Sequence, residues 1–155
     1  MSIEERMKQA GVELPEPPAA GGLYQRVVVA DRFVYVSGQT PLRDGVMTTV
    51  GKLGADVTVD EGRAAARLAL LNCLAQLDAH LGGLDPVEQI VKLTGYVASG
   101  RDFNSQPAVI DGASAVLNEV FGDAGGHART SIGVAELPGN ASVEVDLVVL
   151  RTPAS

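Results

Sequence analysis

The chain has 155 residues, of which 46% are hydrophobic and 20% are charged, and its formal net charge is −7 at pH 7. This size and balance predict one compact folded domain and exclude a disordered chain. The negative charge and the lack of a basic run argue against a nucleic-acid partner, because affinity for a phosphate backbone comes mostly from clustered Lys and Arg.

The sequence carries no signal for a membrane or for export. It has no apolar run of about 18 residues and no charged-then-apolar leader over residues 1–9. We therefore expect no membrane partner and a cytoplasmic location.

The residue types that bind metals or cofactors are not arranged in a binding pattern. Cys73 is the only cysteine, and His80 and His127 form no HxxxH spacing, so the sequence predicts neither a disulfide nor a metal site. Neither GxGxxG nor GxxxxGK occurs, which argues against a nucleotide cofactor. A covalent nucleophile is also not indicated, because there is no GxSxG elbow and Cys73 falls within a predicted helix.

The first third of the chain predicts an N-terminal arm over residues 1–18, followed by a single domain over residues 19–155. Ser2 to Ala10 fits one short helix, which the prolines at positions 15, 17 and 18 would prevent from continuing. Leu23 to Ala30 and Arg32 to Ser37 are rich in Val, Tyr and Phe and indicate an antiparallel hairpin. Gly38 is expected to break its second strand.

Two helices with a strand between them are predicted in the middle of the chain. Thr58 and Glu61 match a capping box, so a helix should begin there and run to about Leu81. It is mostly Ala and Leu outside one narrow polar stripe, which predicts burial on most sides. A strand over Glu88 to Ala98 follows, and a second helix should run from about Ser105 to Phe121.

The last third predicts two strands, Thr130 to Leu137 and Ser142 to Leu150, joined as a hairpin at Pro138-Gly139-Asn140. The order β-β-α-β-α-β-β predicts an α+β fold with both helices on one face of a mixed sheet. The final strand has apolar residues on both faces. The second sheet face should therefore be at least partly covered, most simply by self-association.

Candidate reactive side chains lie at the ends of apolar strands, in Ser37-Gly38-Gln39, around Arg129, and at Glu144. The planar fork of Arg129 suits a carboxylate, the N–H of Gly38 can bind a second oxygen, and a nearby carboxylate can orient water. This set fits hydrolysis of a small, reactive acid. The alternatives are that Arg129 is an ordinary surface charge and that Glu144 is exposed or ion-paired.

The predicted final hairpin limits how these residues can cooperate. With a turn near Gly139, Glu144 would lie opposite Ala135, about six residues from Arg129, or roughly 20 Å at 3.3 Å per residue. The two side chains could not meet within one hairpin. If both serve one pocket, we expect that pocket at a subunit interface.

These segments resemble the Rid (YjgF-type, RidA-like) family of reactive-intermediate deaminases. The similarity runs from about Pro18 to Leu150, and four segments follow the family pattern in order: Ser37-Gly38-Gln39, Ala128-Arg129-Thr130-Ser131, Ala135-Glu136-Leu137-Pro138 and Val143-Glu144-Val145. The resemblance implies a chorismate-mutase-like fold assembled as a homotrimer with three clefts between subunits. It also implies cofactor-free hydrolysis of 2-imino acids, of the 2-iminopropanoate and 2-iminobutanoate type, to 2-keto acids and ammonia.

The resemblance assigns roles to individual residues. Arg129 would bind the substrate carboxylate in two-pronged fashion, the Gly38 N–H would assist, and Glu144 would position or activate water. The positions that would line the pocket beside them are Tyr24, Ser37 and Ser131.

Two departures from the family pattern indicate a divergent subgroup. Family enzymes commonly have Pro-Ala-Arg where this chain has His127-Ala128-Arg129, and the Asn-x-x-Tyr of their second helix is replaced by Asp111-Gly112-Ala113-Ser114. His127 is a possible pocket group, because an imidazole changes charge near neutral pH, or else a loop histidine without a role.

Two other functions compete with imine hydrolysis. A non-catalytic trimer that binds small carboxylates or keto acids would keep Arg129 without turnover. An endoribonuclease is a weaker alternative, because the chain is acidic and has no basic patch or paired histidines.

Overall fold

The computed structural model describes residues 1–154 as a mixed β-sheet with helices packed on one face. In chain order the elements are α1 (Ile3–Ala10), β1 (Val27–Ala30), β2 (Phe33–Gln39), β3 (Leu42–Arg43), β4 (Val46–Met47), α2 (Val59–Leu81), β5 (Val87–Ala98), α3 (Gln106–Phe121), β6 (Ala128–Val134) and β7 (Val143–Arg151). Short 3₁₀ turns follow α3 and precede β7.

The main sheet has five strands in the order β1-β2-β7-β5-β6. β5 and β6 are parallel, and the other neighbouring pairs are antiparallel. The helices α2 and α3 pack on each other and on one sheet face. The predicted α+β class, the mixed sheet and the β1–β2 hairpin are therefore confirmed.

The predicted hairpin between the last two strands is wrong, because β5 lies between β6 and β7. The physical reason is burial. β7 presents Val143, Val145, Leu147 and Val149 to the helices, all at most 1% exposed, which suits a central strand. β6 places Arg129, Ser131 and Gly133 on the same face, and such a strand suits an edge.

Helix α2 begins and ends as its sequence predicts. Thr58 accepts a hydrogen bond from the N–H of Glu61, whose side chain returns one to the N–H of Thr58. Gly82 closes the helix in the left-handed conformation, with φ of 73°. The stripe of polar residues is not uniformly solvated, however, because Asn72 and Gln76 are buried.

Three strand details differ from the sequence prediction. β1 begins at Val27 rather than Leu23, whose side chain is fully exposed. β2 continues through Gly38 instead of ending there. In β5 a simple alternation of faces predicts that Val91, Leu93 and Val97 lie together in the core, but the register with β7 shifts between Ile90 and Lys92, so Ile90 is buried instead of Val91.

The N-terminal segment lies against the domain. α1 starts with a capping box between Ser2 and Glu5 and packs on α3. Val12 is buried, and Ile3 and Met7 pack against the core. Across residues 1–154, no helix is both long and apolar enough to cross a membrane.

Close packing of α3 on α2 depends on Gly112, which generates a stability prediction. A Cβ at this position would lie 2.2 Å from the carbonyl oxygen of Arg63 in α2. We expect Gly112→Ala to lower the free energy of unfolding by about 1–3 kcal/mol or more, because helix backbone must move apart. Urea unfolding checks this, with Gly126→Ala as control, where the nearest atom would be 3.6 Å away. Equal stabilities of the two variants would contradict it.

Candidate functional site

A cavity of about 310 Å³ lies at one end of β2 and β7. Its polar wall contains Tyr24, Gly38, Gln39 and Glu144. Its other lining residues come from the N-terminal segment, the β3–β4 hairpin and the turn before β7, and they are Pro18, Ala19, Gly21, Thr40, Leu42, Met47, Pro138 and Gly139. The structure therefore brings together three of the predicted site residues, namely Tyr24, Gly38 and Glu144.

A bulge in β2 places Gly38 directly against Glu144. The register with β7 passes from Val36↔Leu147 to Gln39↔Val145, so Ser37 and Gly38 together stand opposite Asp146. A Cβ on Gly38 would lie 2.6 Å from Oε2 of Glu144. Glycine at this position leaves room for the Glu144 carboxylate, which occupies the space of a side chain, and the strand does not end here.

Ser37 and Tyr24 have local hydrogen-bonding roles. The Ser37 hydroxyl donates to the carbonyl oxygen of Gln25 over 2.6 Å, and Ser37 does not line the cavity. The Tyr24 hydroxyl accepts from the N–H of Gly21 over 3.0 Å and remains on the cavity wall. Ser37 thus holds Gln25, the residue that follows Tyr24, whereas Tyr24 can contact a ligand.

Glu144 is the carboxylate among the described residues that line the cavity. It is half-buried, and no hydrogen bond within residues 1–154 involves its carboxylate. Burial is the larger cause that raises the pKa of Glu144, and the negative charge of Asp146 raises it further. A carboxyl group that holds its proton more tightly than usual is suited to exchanging a proton with a ligand.

Asp146 lies beside Glu144 on the same sheet face. Burial raises the pKa of Asp146, while hydrogen bonds from Tyr96 and Thr94 and the charge of Lys92 oppose that shift. The Tyr96 hydroxyl donates to Oδ2 over 3.0 Å. Asp146 is therefore a partnered carboxylate, whereas Glu144 is available to a ligand.

Two buried amides on α2 hold the cavity wall in place. Nδ2 of Asn72 donates to the carbonyl oxygens of Thr40 and Leu42, each over 2.9 Å. Nε2 of Gln76 donates to the carbonyl oxygen of Pro18 over 2.7 Å and contacts Oε1 of Gln39 at 3.4 Å. The sequence prediction missed this role. The only sign of this role in the sequence is that two amide residues, Asn72 and Gln76, lie four residues apart in a helix composed mostly of Ala and Leu.

Arg129 lies elsewhere, on the helix-covered face of β6. Its Nη1 donates to Oδ1 of Asp111 over 2.7 Å and to the Ser114 hydroxyl over 3.1 Å, and its Nη2 contacts the carbonyl oxygen of Pro107 at 3.4 Å. Glu144 is on the opposite face, next to Tyr96 in β5. One chain alone therefore does not bring Arg129 and Glu144 together, and the reason is the intervening β5 rather than a hairpin.

His127 and Ser131 accompany Arg129 and not the cavity. Nε2 of His127 is 2.9 Å from the Ser114 hydroxyl, and Nδ1 is 2.7 Å from the carbonyl oxygen of Gly125. The hydroxyl oxygen of Ser131 is buried and has no hydrogen-bond partner. Placing these residues in the same pocket as Glu144 remains a prediction about a subunit interface.

Other reactive groups are arranged unfavourably for catalysis. Burial strongly raises the pKa of the Cys73 thiol, so it stays protonated. In the described part of the chain, no three His, Cys, Asp or Glu side chains cluster closely enough to hold a metal ion.

Known proteins are similar to this chain in sequence and in fold. A family model described as "YjgF/chorismate_mutase-like, putative endoribonuclease" matches residues 4–150. Protein TCP17 of Trypanosoma cruzi is 43% identical over 150 residues, or 95% of this chain and 92% of that protein. The 2-iminobutanoate/2-iminopropanoate deaminase of Escherichia coli is 32% identical over 134 residues, or 86% of this chain and 91% of that enzyme. The crystal structure of Atu1372, a protein of unknown function from Agrobacterium tumefaciens, superposes with a TM-score of 0.88 at 41% identity, covering 96% of this chain and 91% of that one.

The contact between Gly38 and Glu144 generates a prediction. We expect Gly38→Ala to change the free energy of unfolding by less than about 1 kcal/mol, because the atom in its way is the end of a flexible side chain. The displaced carboxylate should lose burial, so its pKa should fall toward the ordinary value for Glu. Thermal unfolding and a carboxyl-carbon NMR titration measure the two effects. An unchanged Glu144 pKa would contradict the prediction.

Proposed function

The chain belongs to the YjgF/chorismate-mutase-like family, and we propose that it hydrolyses small 2-imino acids, of the 2-iminopropanoate and 2-iminobutanoate type, to 2-keto acids and ammonia. The observation that carries the proposal is the half-buried Glu144 carboxylate, which faces a cavity, has no hydrogen-bond partner within residues 1–154 and has a raised pKa. A relative that is 32% identical bears the name of this activity.

The reaction needs one group that first accepts and then returns a proton. Water attacks the carbon of the protonated imine while Glu144 accepts one of the water protons, which gives a neutral tetrahedral carbinolamine. The protonated Glu144 then gives this proton to the amino nitrogen. As the C–N bond breaks, the carbinolamine hydroxyl loses its proton to Glu144 and becomes the keto group, and the released ammonia takes that proton from Glu144 and leaves as ammonium, which regenerates the carboxylate. A carboxyl group whose pKa is raised toward neutrality serves both steps better than an ordinary one.

The assignment of the substrate carboxylate to Arg129 requires a neighbouring subunit. We propose a homotrimer in which the face of the sheet without helices is covered by other copies. Large apolar side chains remain 43–50% exposed on this face, and they are Val28, Phe33, Tyr35 and Ile132. A cleft between subunits would place Arg129 of one copy near Glu144 of another.

The alternatives have weaker support. A non-catalytic carboxylate-binding trimer would use Arg129 alone and leaves the raised pKa of Glu144 without a role. RNA cleavage is named in the description of the matched family, but the net charge of −7 opposes binding to a polyanion.

A turnover assay tests the proposal. Freshly formed 2-iminopropanoate, generated in the assay by an amino-acid oxidase, should yield pyruvate faster with the wild-type protein than without it. We expect Glu144→Gln to lower kcat by about 10²–10⁴-fold, because proton transfer is lost, and Arg129→Ala mainly to raise KM. Glu119→Gln, on the exposed side of α3, is the control. No acceleration over several imino acids would overturn the proposal, and equal rates for all variants would overturn the residue roles.

The coupling of Glu144 to Asp146 generates a pH prediction. Water activation needs ionised Glu144, so kcat should rise as pH increases through its raised pKa. Asp146→Asn removes the neighbouring negative charge that raises this pKa, and the rise should move to lower pH. The exposed substitution Asp78→Asn should leave the profile in place. A shift to higher pH in Asp146→Asn would show that the two carboxylates are not coupled in this way.

A further inference from the structure

We infer that Asp111, Ser114 and His127 form a positioning network that holds Arg129 with one edge of its guanidinium presented to a carboxylate. This inference rests on the proposed function, which gives Arg129 a carboxylate to bind. Asp111 and Ser114 lie in α3, and His127 precedes Arg129 by two residues.

The hydrogen bonds of the Arg129 guanidinium show which of its edges can still bind a ligand. An arginine side chain has five N–H donors. Both Nη1 donors are used, by Oδ1 of Asp111 at 2.7 Å and the Ser114 hydroxyl at 3.1 Å, and one Nη2 donor points to the carbonyl oxygen of Pro107 at 3.4 Å. The donors that remain are Nε–H and the second Nη2–H. Nε and Nη2 make up the side edge of the guanidinium, which can bind a carboxylate in two-pronged fashion, and within residues 1–154 the only hydrogen bond on this edge is the long one to Pro107.

The guanidinium is also accessible. The Arg129 side chain is 24% exposed and that of Asp111 is 54% exposed. The ion pair therefore lies at the surface edge of β6 rather than inside the core. A small acid can reach Arg129 without unfolding any element.

The hydrogen bonds of His127 determine the orientation of Ser114. A carbonyl oxygen can only accept, so Nδ1 of His127 carries the hydrogen that points to Gly125. In the neutral ring Nε2 is then an acceptor, and the Ser114 hydroxyl donates to it. This leaves the oxygen lone pairs of Ser114 directed at Arg129. His127 thus acts on Arg129 through one hydroxyl group.

The negative charge of Asp111 has a second effect. It offsets the charge of Arg129 before any ligand binds, so a bound carboxylate gains less from simple attraction and depends more on the geometry of the fork. Orientation and charge can be separated experimentally. Asp111→Asn keeps an acceptor at Oδ1 and removes the charge, whereas Asp111→Ala removes both.

Binding of two product-like probes tests the network. Pyruvate carries the carboxylate, and pyruvamide has the same shape with a neutral amide. We expect Asp111→Ala to weaken pyruvate binding about tenfold, the usual effect of losing a charged hydrogen bond, and to leave pyruvamide binding unchanged. Asp111→Asn should stay within about threefold of wild type or bind pyruvate more tightly. Ser114→Ala should weaken pyruvate binding in the same selective way, and Glu119→Ala on the same helix is the control.

The outcomes separate this inference from the proposed function. If Arg129→Ala weakens pyruvate binding but Asp111→Ala and Ser114→Ala do not, the positioning network is overturned and the role of Arg129 stands. Equal loss of both probes in Asp111→Ala would mean a purely structural role and would also overturn it. If the wild type does not bind pyruvate, or Arg129→Ala binds it normally, the proposed role of Arg129 fails and the network fails with it.

Discussion

Strand β7 must serve two environments at once, and the alternation of its side chains makes this possible. Val143, Val145 and Leu147 point to the helices, whereas Glu144 and Asp146 point to the other face of the sheet. The first set anchors the strand in the centre of the core, where backbone motion is small. The second set is therefore held firmly although it is polar. The position of Glu144 is therefore fixed by the burial of Val143, Val145 and Leu147, which do not line the cavity.

The polar side of β7 has a cost that the core must offset. Burial raises the pKa of both Glu144 and Asp146, and the negative charge of Asp146 raises the pKa of Glu144 further. Tyr96 and Lys92 compensate Asp146, but nothing in residues 1–154 does so for Glu144. A group left uncompensated on a rigid strand is a common feature of sites that transfer protons. The bulge at Gly38 completes this arrangement by admitting the carboxylate to space that a side chain would fill.

Local signals in the sequence predicted the elements well because their causes are local. The capping box at Thr58 and the glycines at Gly82 and Gly122 mark helix ends through hydrogen bonds within a few residues. Strand neighbours were less predictable. The hairpin expected at Gly139 assumed that consecutive strands pair, whereas β5 is long enough to bind a strand along each edge. The polar content of the helix-facing side of β6 was the available sign that it is an edge strand.

The candidate site was only partly predictable for a related reason. Gly38 and Glu144 were identified from their segments and Tyr24 from the family resemblance, and the structure groups the three in one cavity. The bulge that aligns Gly38 with Glu144 depends on strand register. The contacts of Arg129 with Asp111 and Ser114 depend on how α3 packs over β6. Both are tertiary features, and a periodic pattern in one segment contains no information about its partner.

The hydrogen bond from Gln76 to Pro18 makes the segment before β1 a wall of the cavity. Part of the cavity wall therefore belongs to a stretch with no strand or helix of its own, while the Glu144 carboxylate belongs to the centre of the sheet. Such a division allows the two to change independently during evolution. Under the proposed function, we expect exchange of residues 12–22 between relatives to change ligand preference, while the carboxylate that transfers protons stays on β7.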